Sequence, residues 1–208
     1  MDIPSIISEI TSTKQGNAPK YDEGHVILTL LAIKKSQPIG RISLMRDVGL
    51  KEASMKTLIK RLKEAGLVET DKIGGTTLTE KGDMILREME TLVSYRPSML
   101  SSIKWNAYGI LVKGGNSLLN QRGILELRDL IIRQGAERVL IATFLNGRIE
   151  LPPKTDEMAM GNLIQEIREA FPEAKDGDLA LFITPPDLRL ALKNFSEGIT
   201  KCPACLLK

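Results

Sequence analysis

Lys56, Lys60 and Arg61 put three cations into a six-residue window with no acid between them, inside the run KEASMKTLIKRLKEAG at residues 51–66. Ammonium and guanidinium groups donate to phosphate oxygens, which gives affinity without sequence information. They also donate to O6 and N7 of guanine, where a good pair is worth about 1–3 kcal/mol of base discrimination. Lys51, Ser54 and Thr57, near the start of the same run, are of types that suit phosphate oxygens or base edges. With Met55, Leu58, Ile59 and Leu62 taken as the buried stripe of a helix, the opposite face carries Ala53, Lys56, Thr57, Lys60 and Arg61, with Lys56 and Lys60 one turn apart. A lysine-rich outer face is also what an ordinary solvated helix shows, so the surrounding elements have to decide between the two readings.

Other residue sets carry weaker chemistry. Lys72 lies next to a Gly74-Gly75 tip whose lack of side chains permits close approach to a phosphate. The loop VKGGNSLLNQRG offers Lys113, Gly114, Gly115, Asn116 and Arg122 ahead of a helix, where backbone amides and two cations could hold an anionic ligand. It has neither the GxGxxG nor the GxxxxGK[ST] pattern, so nucleotide binding has no support, and a plain flexible loop is the simpler account. Cys202 and Cys205 form a lone CxxC pair, which is half a zinc site or a redox dithiol. No further ligands stand nearby, so no metal and no cofactor is expected. Asp176-Gly177 reads as a turn and Asp187 as a helix N-cap rather than as metal ligands with Asp178. The single His25 sits at the start of an apolar helix, where capping or packing is the expectation. No catalytic triad can be assembled, so the chain is not expected to be an enzyme.

Composition bounds the classes. The chain has 208 residues, 42% hydrophobic and 26% charged, with a net charge of +3, and it is expected to form two domains. No apolar run approaches the roughly 18 residues a membrane span needs, and the N-terminus does not resemble a secretory signal, so a cytoplasmic location is expected. Two cysteines do not make a disulfide framework. An aromatic content of 4% leaves few rings for stacking single-stranded bases.

Apolar periodicity gives three helices after a polar leader. The first starts at Asp22 and uses Val26, Ile27, Leu30, Leu31 and Ile33; the second places Ile42, Met45 and Val48 on one face and stops at Gly49; the third is the basic run. Two short strands flanking Gly74-Gly75 then make a hairpin over residues 67–79, and Thr79 caps a fourth helix marked by Met84, Ile85, Glu88 and Leu92. This order is that of a winged helix-turn-helix domain, in which the third helix enters the major groove and the hairpin is the wing. Proline and serines at residues 96–102 suggest a linker, which divides the chain into residues 1–96 and 97–208. The second part reads as strand 104–112, helix 121–134, strand 138–145, strand 148–151, helix 156–171, strand 178–184 and helix 187–198. Asn146-Gly147 makes a hairpin of the middle two strands. The expectation is an α+β chain whose C-terminal part is a ferredoxin-like βαββαβ sandwich with an added terminal helix.

The run GLKEASMKTLIKRLKEAGLVE followed by TTLTEKG resembles the recognition helix, wing and next helix of prokaryotic winged-helix transcriptional regulators. It is similar to the multiple-antibiotic-resistance and metal-dependent repressor types, and especially to short archaeal-type regulators, over about residues 22–95. The resemblance implies a transcription regulator that binds double-stranded DNA, with recognition helix 51–65 bearing Lys51, Ser54, Lys56, Thr57, Lys60 and Arg61, and a wing bearing Lys72. It implies a homodimer whose C-terminal domain serves dimerisation or sensing of a small-molecule effector, with no membrane as partner. The alternative is a winged-helix scaffold that docks on a protein of the transcription or processing machinery without reading DNA.

Overall fold

The computed structural model describes residues 3–13, 16, 18–71, 74–152 and 160–200. The chain is α+β and divides into two compact units, Met1–Glu90 and Thr91–Lys208.

Unit 1 opens with α1 (Ile3–Thr11), a helix where only a polar leader was expected; Ile3, Ile7 and Ile10 recur at helical spacing and are buried. Its signal was present in the sequence, in the spacing of Ile3, Ile7 and Ile10 over a segment of only nine residues. α2 (Glu23–Ser36) starts at a capping box: His25 N–H donates to Asp22 Oδ1 at 3.1 Å, and Asp22 N–H donates to His25 Nδ1 at 3.2 Å. The lone histidine therefore has a capping role.

α3 (Arg41–Val48) and α4 (Glu52–Glu64) are joined by a tight turn at Gly49, which adopts φ 76° and donates to the carbonyl of Met45. In α3 the buried residues are Leu44 and Val48, whereas Ile42 is 82% exposed. The assignment of Ile42 to the buried face was wrong, because a helix of two turns gives too few points to fix the phase of its apolar stripe. α4 ends at Gly66, φ 72°, with Leu67 N–H returning to the Leu62 carbonyl at 2.9 Å, so the chain turns sharply into the hairpin.

The hairpin is β1 (Val68–Asp71) paired antiparallel with β2 (Gly75–Leu78). A third segment joins it that the sequence reading missed. Ile39 exchanges both backbone hydrogen bonds with Thr76, at 3.0 and 2.9 Å, and Gln37 Oε1 accepts from Leu78 N–H at 2.8 Å. A Cβ on Gly75 would lie 2.9 Å from the Ile39 carbonyl oxygen, and Gly75 adopts φ 95°, so glycine there serves this close approach as well as the turn. Thr79 caps α5 (Glu80–Leu92), accepting from Gly82 N–H at 3.1 Å while donating to the Gly66 carbonyl at 2.7 Å. On α5 the buried residues are Gly82, Ile85, Leu86 and Met89, and Met84 is 52% exposed.

Unit 2 is a five-stranded antiparallel sheet in the order β3-β4-β7-β5-β6. The expected linker is largely β3 (Val93–Leu100), paired along its full length with β4 (Trp105–Val112). Pro97 is compatible with this because β3 is an edge strand. The helix expected at 121–134 is two, α6 (Asn116–Arg122) and α7 (Ile124–Arg133), broken at Gly123, which has φ 73°. β5 (Arg138–Leu145) and β6 (Arg148–Glu150) form the expected hairpin, with Asn146 and Gly147 both at positive φ, 52° and 72°. α8 (Gly161–Ala170), β7 (Leu179–Thr184) and α9 (Leu188–Thr200) follow, and Asp187 caps α9 by accepting from Arg189 and Leu190 N–H. The first part of the helix expected at 156–171 lies outside the described residues.

The strand order departs from the ferredoxin-like expectation. In that sandwich the first of the four strands lies between the third and the fourth. Here the fourth, β7, lies between the first two, β4 and β5. Both arrangements keep the β5–β6 hairpin and a strand inserted between two parallel ones, and periodicity carries no information about which strand is inserted. One face of the sheet packs Ala107, Leu111, Ala142, Phe144, Ala180 and Phe182 against Leu163, Ile167 and Phe171. Alternate residues, among them Ile110, Ile141, Leu181 and Ile183, are buried on the other face, where α7 packs on β5 and α9 on β4.

Candidate nucleic-acid interface

α4 buries Met55, Leu58 and Leu62 and leaves Ile59 half-buried. That phase turns Lys56, Thr57 and Lys60 outward together, all exposed, with exposed Lys51 at the N-cap position and Ser54 half-buried beside them. The Lys60 side chain is 76% exposed and only loosely paired, its Nζ 3.8 Å from Glu64. Thr57 donates its hydroxyl to the Ala53 carbonyl at 2.9 Å, so toward a partner it offers an acceptor and not a donor. The face thus presents two ammonium groups a turn apart with an acceptor between them.

Arg61 is elsewhere. Expected in the outward set, it donates through one guanidinium nitrogen to the carbonyl oxygens of Ile10 and Ser12, at 2.8 and 2.6 Å. Tyr21 hydroxyl donates to the same Ile10 carbonyl at 3.2 Å, and the Arg61 guanidinium carbon lies 6.0 Å from the Tyr21 ring. Burial raises the Tyr21 hydroxyl above its ordinary 10.0, while Arg61 pulls it the other way, so it is a neutral donor at neutral pH. A helix leaves its last carbonyls without internal partners, and a cation there is favourable. Arg61 fastens the end of α1 to α4. Arg61→Ala should lower the stability of unit 1 by about 1–2 kcal/mol, read by urea unfolding. An unchanged midpoint would show that the two bonds contribute nothing.

Beside α4, a groove of about 560 Å³ runs between the first turn of α3 and the hairpin, lined by Arg41, Ile42, Ser43, Ile59, Thr70 and Thr76 among others. Arg41 reaches Glu52 at 3.3 Å across the α3–α4 turn. Sequence reading did not single out this groove, and the only signal for it was the second helix itself. Lys63, also left out, is exposed on α4 with Nζ 3.5 Å from Thr70 Oγ1 on β1. Lys72 lies outside the described residues.

The loop at Lys113 to Asn116 is not an open cradle of amides. Gly114 N–H donates to the buried Asp178 at 2.8 Å, Lys113 N–H to the Leu92 carbonyl, Gly115 N–H to Val112 and Asn116 N–H to Gly177. A Cβ on Gly115 would come within 2.8 Å of Leu179 Cβ, so that glycine is required by packing. Arg122 is the last residue of α6, at its other end. Asp178, weighed in the sequence only as part of an acidic trio, organises the loop; it also accepts from Lys175 N–H at 2.8 Å. Asp176 accepts from Gly147 N–H at 2.8 Å. Among the described residues no group of three or more His, Cys, Asp or Glu side chains could hold a metal ion. Cys202 and Cys205 lie outside the described residues. Among the described residues no helix is long and apolar enough to cross a membrane.

Two family models match separate parts of the chain. Residues 25–93 match the CggR N-terminal DNA binding domain, and residues 103–197 match a domain of unknown function (DUF4443). A solved structure of a hypothetical protein from Pyrococcus horikoshii OT3 is similar to this chain at 21% identity, covering 86% of this chain and 91% of that one, with a TM-score of 0.60. At that identity the likeness concerns the fold alone. No curated protein matches the chain.

Proposed function

We propose that the chain is a sequence-specific regulator of transcription that binds double-stranded DNA through a winged helix-turn-helix in unit 1. Residues 51–65 occupy the major groove, and residues 67–79 form the wing, on the backbone or in the minor groove. The observation that carries this reading is the outward face of α4, where Lys56, Thr57 and Lys60 are exposed together on the helix that follows the tight Gly49 turn. The match of residues 25–93 to a DNA binding domain supports it, as does the bridge from Ile39 that adds a third segment to the hairpin. Unit 2 serves dimerisation or effector sensing, and the protein is not an enzyme. As a two-fold dimer it reads a pseudo-palindrome whose half-sites lie about one helical turn apart, or a multiple of that.

A second reading has one observation in its favour: Ile42, 82% exposed at the rim of the groove, is the kind of side chain a protein partner covers. Capture of genomic fragments by the purified protein, at a stated salt concentration, tests the choice. A recurrent inverted repeat among the bound fragments is expected; no enrichment of any sequence would favour the scaffold.

A further inference from the structure

α7 carries an outward stripe that mixes exposed apolar and charged side chains. Leu127 and Ile131 are buried toward the sheet, while Leu125 and Ile132 are 66% and 39% exposed. At 100° per residue, Leu125, Arg128, Asp129 and Ile132 share one face, roughly 130° round the helix from the buried pair. Leu125 and Ile132 lie equally far on either side of the midpoint between Arg128 and Asp129. A two-fold axis through that midpoint, crossing two antiparallel copies of α7, sets Leu125 against Ile132 of the second copy. It also brings Arg128 level with Asp129 of that copy.

Within one chain, Arg128 and Asp129 make only a loose contact of 3.4 Å, with side chains 53% and 60% exposed, so both are available across such a seam. A foreign partner would need no such symmetry of charge and apolar residues about a single point; a self-complementary patch is what an isologous contact requires. We propose that this stripe is the centre of a homodimer contact. The proposal rests on the dimeric reading given above.

Cysteine pairing tests the geometry, in the full chain with Cys202→Ser and Cys205→Ser. A mixture of Leu125→Cys chains with Ile132→Cys chains should form a covalent dimer on mild oxidation, and neither chain should do so alone. Like positions would stand about 10 Å apart along the helix axes, beyond the reach of a disulfide. In sedimentation, Leu125→Glu should weaken self-association at least about tenfold. Arg128→Asp should also weaken it, and adding Asp129→Arg should restore it. A native dimer that Leu125→Glu leaves intact, or a mixture that does not cross-link, overturns the α7 seam and leaves the dimer standing. A native chain that stays monomeric with and without duplex DNA overturns both.

Discussion

Replacing Lys56 and Lys60 together by Ala should weaken binding to duplex DNA by roughly 10- to 100-fold at physiological salt, and flatten the dependence of log affinity on log salt by about 1.8. Each lysine that neutralises a phosphate releases condensed counterions, and each contact removed takes about 0.9 from the slope. Both side chains are exposed on one face of α4, so their loss should leave the fold intact, and unfolding curves for the double variant should overlay those of the native chain. Affinity reduced without a change of slope would move these lysines from the backbone to base edges, and specificity would then relax at particular positions of the site. If affinity, slope and specificity all stayed as they were, α4 would not lie in the groove. Arg61 is the internal contrast, because its guanidinium is committed to the carbonyls of Ile10 and Ser12.

Gly82→Ala should cost stability at or above the roughly 3 kcal/mol upper end seen for overpacked cores, a large share of the about 5–15 kcal/mol available to a domain. A Cβ at this position would stand 2.2 Å from the carbonyl oxygen of Leu67. The neighbour is backbone, so no side chain can turn aside, and α5 would have to move off the chain segment where α4 hands over to the hairpin. Because Thr79 caps α5 through Gly82 N–H, the same shift would strain the cap. Urea unfolding read by circular dichroism gives the number. Gly161→Ala, at the open first position of α8, is the control and should be neutral or slightly stabilising. A Gly82→Ala chain as stable as the native one would mean that α5 does not pack this closely.

Much of unit 1 was legible because its signals are local. The helix start at Asp22, the helix stop at Gly49, the hairpin glycines and the Thr79 cap each act within a few residues. The apolar stripe of α4 gave its phase nearly as found, with only Ile59 shifted to half-buried. Failures came where short elements gave few points to read, as in α1 and α3, or where a segment was defined by a distant neighbour. Residues 96–102 hold proline and serines and read as a linker, yet most of them form an edge strand because β4 supplies the pairing. The amides at Lys113 to Asn116 looked available until Asp178, far along the chain, was found to occupy one of them.

By itself the sequence determined most of the helices and strands, with α1, β3 and the break between α6 and α7 as the exceptions, and that a basic face belongs to the third helix of the helix–helix–helix–hairpin series. Those properties follow from backbone preferences and from apolar spacing, which are written within a turn or two of the chain. Tertiary structure decided that β7 and not β4 is the inserted strand, that Ile39 extends the hairpin, and that Arg61 serves α1 and is not part of the outward face. Each of these depends on which partner a hydrogen-bonding group meets after the chain has folded back on itself. An arginine in the sequence carries the same charge wherever its guanidinium ends up, and only the position of the Ile10 and Ser12 carbonyls assigns it.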